Sequence, residues 1–164
     1  MQLAKRIFAV ISSFSLVFVA TFLLVPSANA ATITSISNVT NRVNYIDKSQ
    51  TVGRCIIGTD GGTCTIQKGA TIQRTIGVDL GITRSEVAAK LSISASKTLS
   101  SSVSCSSPRL KKGQAWLASP IGTRYSYLIK RTLWQGQGLP SVPDGQVTKT
   151  AFNPYSSQLY CRAA

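Results

Sequence analysis

The sequence predicts a mainly β protein, a small antiparallel sandwich or partly open barrel of about six to eight strands. Apolar and polar residues alternate through much of the chain, and turns rich in glycine and proline separate the alternating runs. Four cysteines are available to form disulfides. One short helix is predicted near residues 84–90, and a signal-peptide helix is predicted to precede the domain.

Residues 1–30 have the pattern of a secretory signal peptide. Lys5 and Arg6 form a short positive region before an apolar run over residues 7–25, and Pro26 ends any helix. An uncleaved anchor is the alternative interpretation, because about 20 apolar residues can span a bilayer. The helix-breaking proline in front of a cleavage-like sequence favours cleavage.

The cleavage site is predicted between Ala30 and Ala31. Ala28-Asn29-Ala30 presents small residues at both positions that a signal peptidase reads. No later segment approaches spanning length, so we expect no stable transmembrane segment after processing. Residues 31–164 are then expected to form a single secreted domain stabilised by disulfides.

The mature chain is expected to be strongly basic. Removing Lys5 and Arg6 from the 18 basic residues leaves 16 against 5 acidic ones, a net charge of +11. No acidic residue lies between Glu86 and Asp144, so this half should carry a positive field that attracts anions. Solubility alone is the alternative explanation of this charge.

Four cysteines in an exported chain predict two disulfides. The pairing of Cys55 with Cys64 is favoured because a glycine-rich turn, residues 58–62, lies between them. Cys105 then pairs with Cys161 and closes a loop of about 55 residues, worth about 3 to 4 kcal/mol in the loop-entropy model. A zinc site is disfavoured because the sequence has no C-x-x-C spacing and no histidine.

The elements around the helix are predicted from period-2 alternation. Residues 31–45 form an early strand, and residues 72–82 form one continuous half-buried strand interrupted on its apolar face only by Arg74. Alternation resumes over residues 91–105, where serines fill the polar face, which favours a second long strand over a disordered serine linker. In alternation alone, the last two segments look like the amphipathic hairpins of β-pore-forming toxins.

A capping box predicts the start of the helix over residues 84–90. The hydroxyl of Thr83 can accept a hydrogen bond from the backbone N–H of Glu86, while the carboxylate of Glu86 reaches back to Thr83. No comparable helix signal occurs later in the sequence.

The C-terminal half is predicted to contain a hairpin, a loop and a closing strand. Residues 110–118 and 125–133 form the two strands of the hairpin, joined by a turn at residues 119–122. Residues 135–145 are rich in glycine and proline and should form a surface loop. Residues 146–160 are expected to be an edge strand, interrupted at their proline.

The sequence offers little catalytic chemistry. It lacks histidine, which excludes Ser-His-Asp and Cys-His arrangements and imidazole metal sites. A paired-carboxylate glycosidase would need Asp47 and Asp79 within about 5 to 10 Å, and nothing in their spacing suggests it. Ser94 and Lys97 match S-x-x-K but face opposite ways on the predicted strand. We therefore expect no catalytic residue, no metal and no cofactor.

The candidate anion-binding residues lie in a basic and aromatic stretch from Arg109 to Trp134, which spans the predicted hairpin. Cations interleaved with aromatic side chains can bind anionic groups while the rings stack or settle at a lipid interface. A place in the sheet core is the competing interpretation for the tyrosines of this stretch. The candidates are Arg109, Lys111, Lys112, Arg124, Lys130, Arg131 and Trp134.

The expected function is that of a secreted, non-enzymatic binding or effector protein at an anionic extracellular surface. The expected partners are anionic envelope polymers or an anionic lipid surface, and the effect could be antibacterial or toxin-like. Nucleic acid is a less favoured partner because an exported protein meets envelopes first. The alternatives are a structural envelope or matrix protein and a small exported enzyme using Asp47 or Asp79. The sequence does not predict an oligomeric state.

Overall fold

The computed structural model describes residues 31–136 and 138–164. The predicted signal peptide, residues 1–30, therefore lies outside the described residues. The fold is mainly β, with one short helix and antiparallel sheets, neither of which closes on itself within these ranges. In the part of the chain that is described, no helix is long and apolar enough to cross a membrane.

Within the described ranges, seven strands form two sheets, and there is one helix. In chain order the elements are β1 (Ala31–Ile46), β2 (Gly53–Ile56), β3 (Thr65–Gln73), β4 (Thr75–Ile76), α1 (Arg84–Lys90), β5 (Thr98–Ser106), β6 (Ala115–Trp134) and β7 (Val142–Ala163). One edge of β6 pairs with β2 and then with β1, and its other edge pairs with β7, which in turn pairs with β4. β3 and β5 form a separate two-stranded sheet.

β6 is a regular strand of 20 residues. Every register shift along it places the extra residues on β1 or on β7 rather than on β6. At the two shifts in β1, Asn38 and Asn44 adopt left-handed backbone conformations with φ of 52° and 55°, which asparagine tolerates better than most residues. The side chains of β6 therefore alternate without interruption between the two faces of the sheet.

Two hydrophobic cores lie on opposite faces of β6. The first contains Tyr127 and Ile129, which have odd numbers; its other buried members are Ile76, Val87, Ala88, Leu91 and Ala151. The second contains Trp116 and Ala118, which have even numbers, together with Ile66 of β3 and Cys105 of β5. Helix α1 therefore covers one face of the second half of β6, and the β3–β5 sheet covers the opposite face of the first half.

Two predicted elements are confirmed. β1 covers the early strand, and α1 spans the predicted helix. The backbone N–H of Glu86 donates to the Thr83 hydroxyl at 3.3 Å, and the Thr83 N–H donates to Glu86 Oε2 at 2.7 Å. The hydrogen bonds from the hydroxyl and then the backbone of Thr83 lower the pKa of Glu86. The capping box thus sets the start of α1, as local side-chain chemistry predicts.

The continuous strand predicted over residues 72–82 is wrong: β3 ends at Gln73, β4 covers only Thr75–Ile76 and belongs to the other sheet, and no strand follows up to Ile82. Leu80 takes a left-handed conformation with φ of 53°, and its N–H donates to Asp79 Oδ1 at 2.8 Å. The N–H of Ile82 donates to the Asp79 carbonyl at 3.1 Å and closes a turn. These local hydrogen bonds replace the ladder of a strand, although the apolar alternation continues through them.

The strand predicted over residues 91–105 is correct only from Thr98. Ser92 has a φ of 54°, and the chain after α1 forms a loop in which the Ser96 carbonyl accepts from the guanidinium of Arg84 at 3.1 Å. From Thr98 onward, β5 pairs with β3 in unbroken register. The first half of this segment is thus bound by Arg84 of α1, through the carbonyls of Ala95 and Ser96, and is not paired in a sheet. The alternation of apolar and polar residues gives no information about such a contact.

The turn predicted at residues 119–122 is wrong, because β6 runs straight through it. Pro120 lies where one edge of β6 changes its partner strand. On this edge β2 pairs with β6 up to Ala118, and pairing with β1 starts at Ile121. The missing N–H of a proline costs little where no neighbouring strand on that edge requires it. The proline marks the junction between two partner strands rather than a reversal of the chain.

The ends of the last two strands also differ from the prediction. The strand predicted over residues 110–118 begins at Ala115, and the final strand begins at Val142, inside the predicted loop. The interruption expected at Pro154 is a register shift between Pro154 and Leu159 within one strand. β7 pairs with β6 on one edge and with the two residues of β4 on the other, so it is not an edge strand along its whole length.

Both disulfides form with the favoured pairing. Cys55 pairs with Cys64 and Cys105 with Cys161, so all four cysteines are used. The second disulfide ties β5 to β7, and Trp116 Nε1 lies 3.2 Å from Cys105 Sγ. The disulfides thus join the two-stranded sheet to the larger one. Two disulfides also indicate an oxidising environment, extracellular or periplasmic.

We expect the two disulfides to differ in their contribution to stability. Replacing Cys105 and Cys161 by serine should lower the free energy of unfolding by about 4 kcal/mol, because this disulfide closes a loop with a sequence separation of 56. Replacing Cys55 and Cys64 should cost about 3 kcal/mol, because the separation is 9. Chemical denaturation of the two double variants measures both values. A larger loss from the Cys55–Cys64 pair would contradict this ranking.

Candidate anion-binding site

The predicted binding residues do not form one site. Arg109, Lys111 and Lys112 lie exposed in the loop before β6, whereas the other four candidates lie on β6. At about 3.3 Å per residue, β6 is roughly 65 Å long, so its two ends cannot contact the same small ligand. In the loop, the backbone N–H of Lys112 donates to Asp60 Oδ1 at 2.9 Å, which places a carboxylate within this basic group.

The even-numbered residues of the second half of β6 form an uncovered face, on the side opposite α1. We call these residues, with their partners on β1 and β7, the open face; on β6 they are Arg124, Ser126, Leu128, Lys130, Thr132 and Trp134. Arg124, Lys130 and Trp134 are exposed on it. Their described cross-strand partners include no acidic residue. Arg131 lies on the other face and is ion-paired with Asp144.

The strongest cation cluster of the open face lies at its Phe152 end. Arg42 of β1 is the direct partner of Arg124, and Phe152 of β7 is the partner of Arg124 on the other side. The guanidinium carbons of Arg124 and Arg42 lie 5.0 and 5.7 Å from the centre of the Tyr45 ring. Arg124 Nη1 also donates to the Tyr45 hydroxyl at 3.0 Å. Two cations are therefore fixed beside one aromatic ring.

A glycine makes room for the aromatic part of this cluster. Gly122 is the partner of Tyr45 in the β1–β6 register. A Cβ at Gly122 would stand 2.8 Å from Cε2 of Phe152 and would clash with the carbonyl oxygen of Asn153. The ring of Phe152 packs edge-on to Tyr45, with centroids 6.1 Å apart and an interplanar angle of 68°. The close approach of β7 to β6 at this point requires a residue without a side chain.

These side chains line a groove of about 620 Å³, with Lys48 and Asp47 at its end. The Asp47 carboxylate is engaged locally: it accepts from the Ser49 hydroxyl at 2.6 Å and from Gln50 Nε2 at 2.7 Å. Among the described residues, the ion pairs lie elsewhere and include neither arginine of the cluster. Arg42, Lys48 and Arg124 outnumber the single carboxylate of the groove, so the groove keeps a net positive charge, which is the electrostatic requirement for binding an anion.

The two carboxylates considered for a glycosidase have separate partners. Asp79 Oδ2 lies 2.7 Å from Lys149 Nζ, whereas Asp47 is held in its own turn. The hydrogen bond from Lys149, followed by that from the Leu80 N–H, lowers the pKa of Asp79. A general acid of a glycosidase needs a raised pKa, so Asp79 is poorly suited to that role.

The sequence analysis included Arg124 but missed Arg42, Tyr45 and Phe152. Strand register brings these residues together from three strands, and single-sequence alternation does not report register. The cations in residues 109–134 are close together in the sequence, whereas the residues of this cluster come from three strands that are distant in the sequence. No protein-family model, curated protein sequence or solved structure matches this chain.

We expect Gly122→Ala to destabilise the fold by about 1 to 3 kcal/mol, the usual cost of overpacking. Gly69→Ala is the matched control, because a Cβ at Gly69 meets nothing within 4 Å, and it should change stability by less than about 0.5 kcal/mol. Thermal or urea denaturation of both variants measures the difference. Equal effects of the two substitutions would show that the contact between β6 and β7 at Gly122 is not close.

Proposed function

We propose that this protein is a secreted, non-enzymatic binding protein that attaches through its open face to an anionic envelope polymer. Support for secretion comes from the N-terminal sequence pattern and from the two disulfides. We further propose that the two sheets act as an open sandwich, in which the β3–β5 sheet and α1 brace β6 and β7 and keep the open face flat and accessible.

One observation carries the proposal: three cations, Arg42, Arg124 and Lys130, share one sheet face with no acidic residue among their described cross-strand partners. Between the cations lie hydroxyl side chains, among them the row of Thr40, Ser126 and Thr150. Guanidinium and ammonium groups bind the phosphate or carboxylate groups of a polymer. Hydroxyl side chains can form hydrogen bonds with the uncharged oxygens of the polymer that lie between those groups.

The dimensions of the open face favour a polymer over a small ligand. From Arg124 to Trp134 the face extends for ten residues of strand, about 33 Å at 3.3 Å per residue. Aromatic side chains lie at both ends, with Tyr45 beside Arg124 and Trp134, which is 39% exposed, at the other. Such rings can stack on sugar rings, while the cations between them bind phosphate or uronate groups. The occupant is therefore proposed to be an extended anionic polysaccharide or polyol phosphate.

We expect that neutralising the cations of the open face weakens binding strongly. The variant R42Q/R124Q/K130Q should bind polygalacturonate and poly(glycerol phosphate) at least about tenfold more weakly than the wild type, since each lost charged contact costs on the order of 1 kcal/mol. The control R109Q/K111Q/K112Q removes the same charge from the loop before β6 and should change affinity less than about threefold. Isothermal titration calorimetry at two salt concentrations measures both, because electrostatic binding weakens with salt.

Equal losses in the two triple variants would contradict the proposal, because net charge and not the open face would then explain binding. That result would favour a structural envelope protein that is retained by charge alone. Binding that is insensitive to salt in the wild type would also contradict it. An Asp47→Asn, Asp79→Asn double variant that lost a hydrolytic activity present in the wild type would instead favour the exported enzyme.

The β3–β5 sheet favours a second candidate function, a membrane-active effector. Its outward positions on β3 and β5 are exposed and uncharged: Thr65, Gln67, Gly69, Thr71, Gln73, Thr98, Ser100, Ser102, Ser104 and Ser106. Its inward positions include Ile66 and Ile72, both buried. Such a sheet could exchange its protein contacts for lipid. Dye release from anionic vesicles would support this function, and intact vesicles at saturating protein would exclude it.

A further inference from the structure

We propose that a second pocket, lined by Arg74, Arg84 and Lys97, binds a tetrahedral oxyanion, phosphate or sulfate, either free or as an ester. This pocket has a volume of about 450 Å³ and lies beside β4. It shares Thr75 with the groove beside Arg124, but none of its three cations lines that groove. The side chain of Arg74 has the parity of Ile76, which belongs to the core under α1, whereas Thr75 between them pairs with Phe152.

The two arginines are held in place by the protein itself. Arg74, only 8% exposed, donates from Nε to Asn153 Oδ1 at 2.7 Å and from Nη1 to the Ser96 carbonyl at 3.1 Å. Arg84 donates from Nε to the Ala95 carbonyl at 2.7 Å and from Nη2 to the Ser96 carbonyl at 3.1 Å. Both guanidinium groups therefore converge on one carbonyl oxygen, which fixes them as neighbours.

Each guanidinium group keeps an unused donor nitrogen. Arg74 Nη2 and Arg84 Nη1 make no hydrogen bond to any residue in the described ranges. Neither atom is fully enclosed without a partner, and both residues line the pocket. Two planar donor groups side by side, with an ammonium group nearby, are suited to the oxygens of a phosphate or sulfate.

The charge of this pocket is not balanced by the protein. The two ion pairs of the described residues involve Arg131 and Lys149, and the residues lining the pocket include no carboxylate. Burial, the larger cause, lowers the pKa of Arg74, and electrostatic repulsion by Arg84 lowers it further. A bound dianion would remove this repulsion and satisfy the unused donors.

The other lining residues fit an anion with an attached group. Gln73, Thr75 and Thr98 offer an amide and two hydroxyls, and the side chain of Lys97 is exposed. The volume falls in the range of about 300 to 1,000 Å³ that is typical of small-molecule sites. An ester of phosphate or sulfate with a small polyol would therefore fit as well as the free ion.

The test places a carboxylate in the pocket. In Lys97→Glu the new side chain can neutralise the arginines, so thermal stability in chloride should rise and the response to phosphate should weaken. In the wild type, phosphate, sulfate and glycerol 1-phosphate should raise the melting temperature in a saturable way at constant ionic strength, and acetate should raise it less. Lys97→Glu should weaken phosphate binding about tenfold or more, the value of one charge-assisted hydrogen bond.

Arg54→Glu is the matched control, because it makes the same charge change at an exposed position of β2 and should keep the wild-type response. NMR titration of the arginine Nε–Hε signals provides a second measurement, in which phosphate should shift the signals of Arg74 and Arg84. A stronger response to the ester than to free phosphate would identify an ester as the ligand. An equal response of all three proteins, or unshifted arginine signals, would show that the arginines only hold the loop carbonyls.

Discussion

The unbroken regularity of β6 is the constraint on which the rest of the structure depends. Because β1 and β7 contain all the register shifts, the side chains of β6 keep one alternation over its whole length. The first half of β6 is covered on one face by the β3–β5 sheet, and the second half is covered on the opposite face by α1. On the second half of β6 this leaves the even-numbered face without a covering element.

The proposed function depends on the part that stays uncovered. Since α1 buries Tyr127 and Ile129, the even-numbered residues beside them face away from the core. Strand register then brings Arg42 from β1 and Phe152 from β7 to Arg124. Asp144 is paired with Arg131 and Asp79 with Lys149, and Asp47 is the one carboxylate in a groove that also holds Arg42, Lys48 and Arg124, which leaves this face cationic.

Features with local causes could be predicted from the sequence, and features set by distant contacts could not. The capping box of Thr83 and Glu86 and the turn between Cys55 and Cys64 are encoded within a few residues, and both predictions are confirmed. Pro120 and its neighbours have a sequence typical of a turn, but Pro120 lies within β6. Its position between the residues paired with β2 and those paired with β1 depends on strand pairing, which the local sequence does not show. In the sequence, Arg74 is only a charged residue that interrupts an apolar face. The structure shows that its guanidinium donates to the Ser96 carbonyl, which also accepts from Arg84.

The most direct test of the central claim is a map of the polymer contact on the intact mature chain. Backbone amide chemical shifts would be followed by NMR during titration with polygalacturonate. We expect the changes to concentrate on the second half of β6 and on its partners in β1 and β7, with the largest near Arg42 and Arg124. Changes confined to the β3–β5 sheet or to the loop at residues 109–112 would contradict the account.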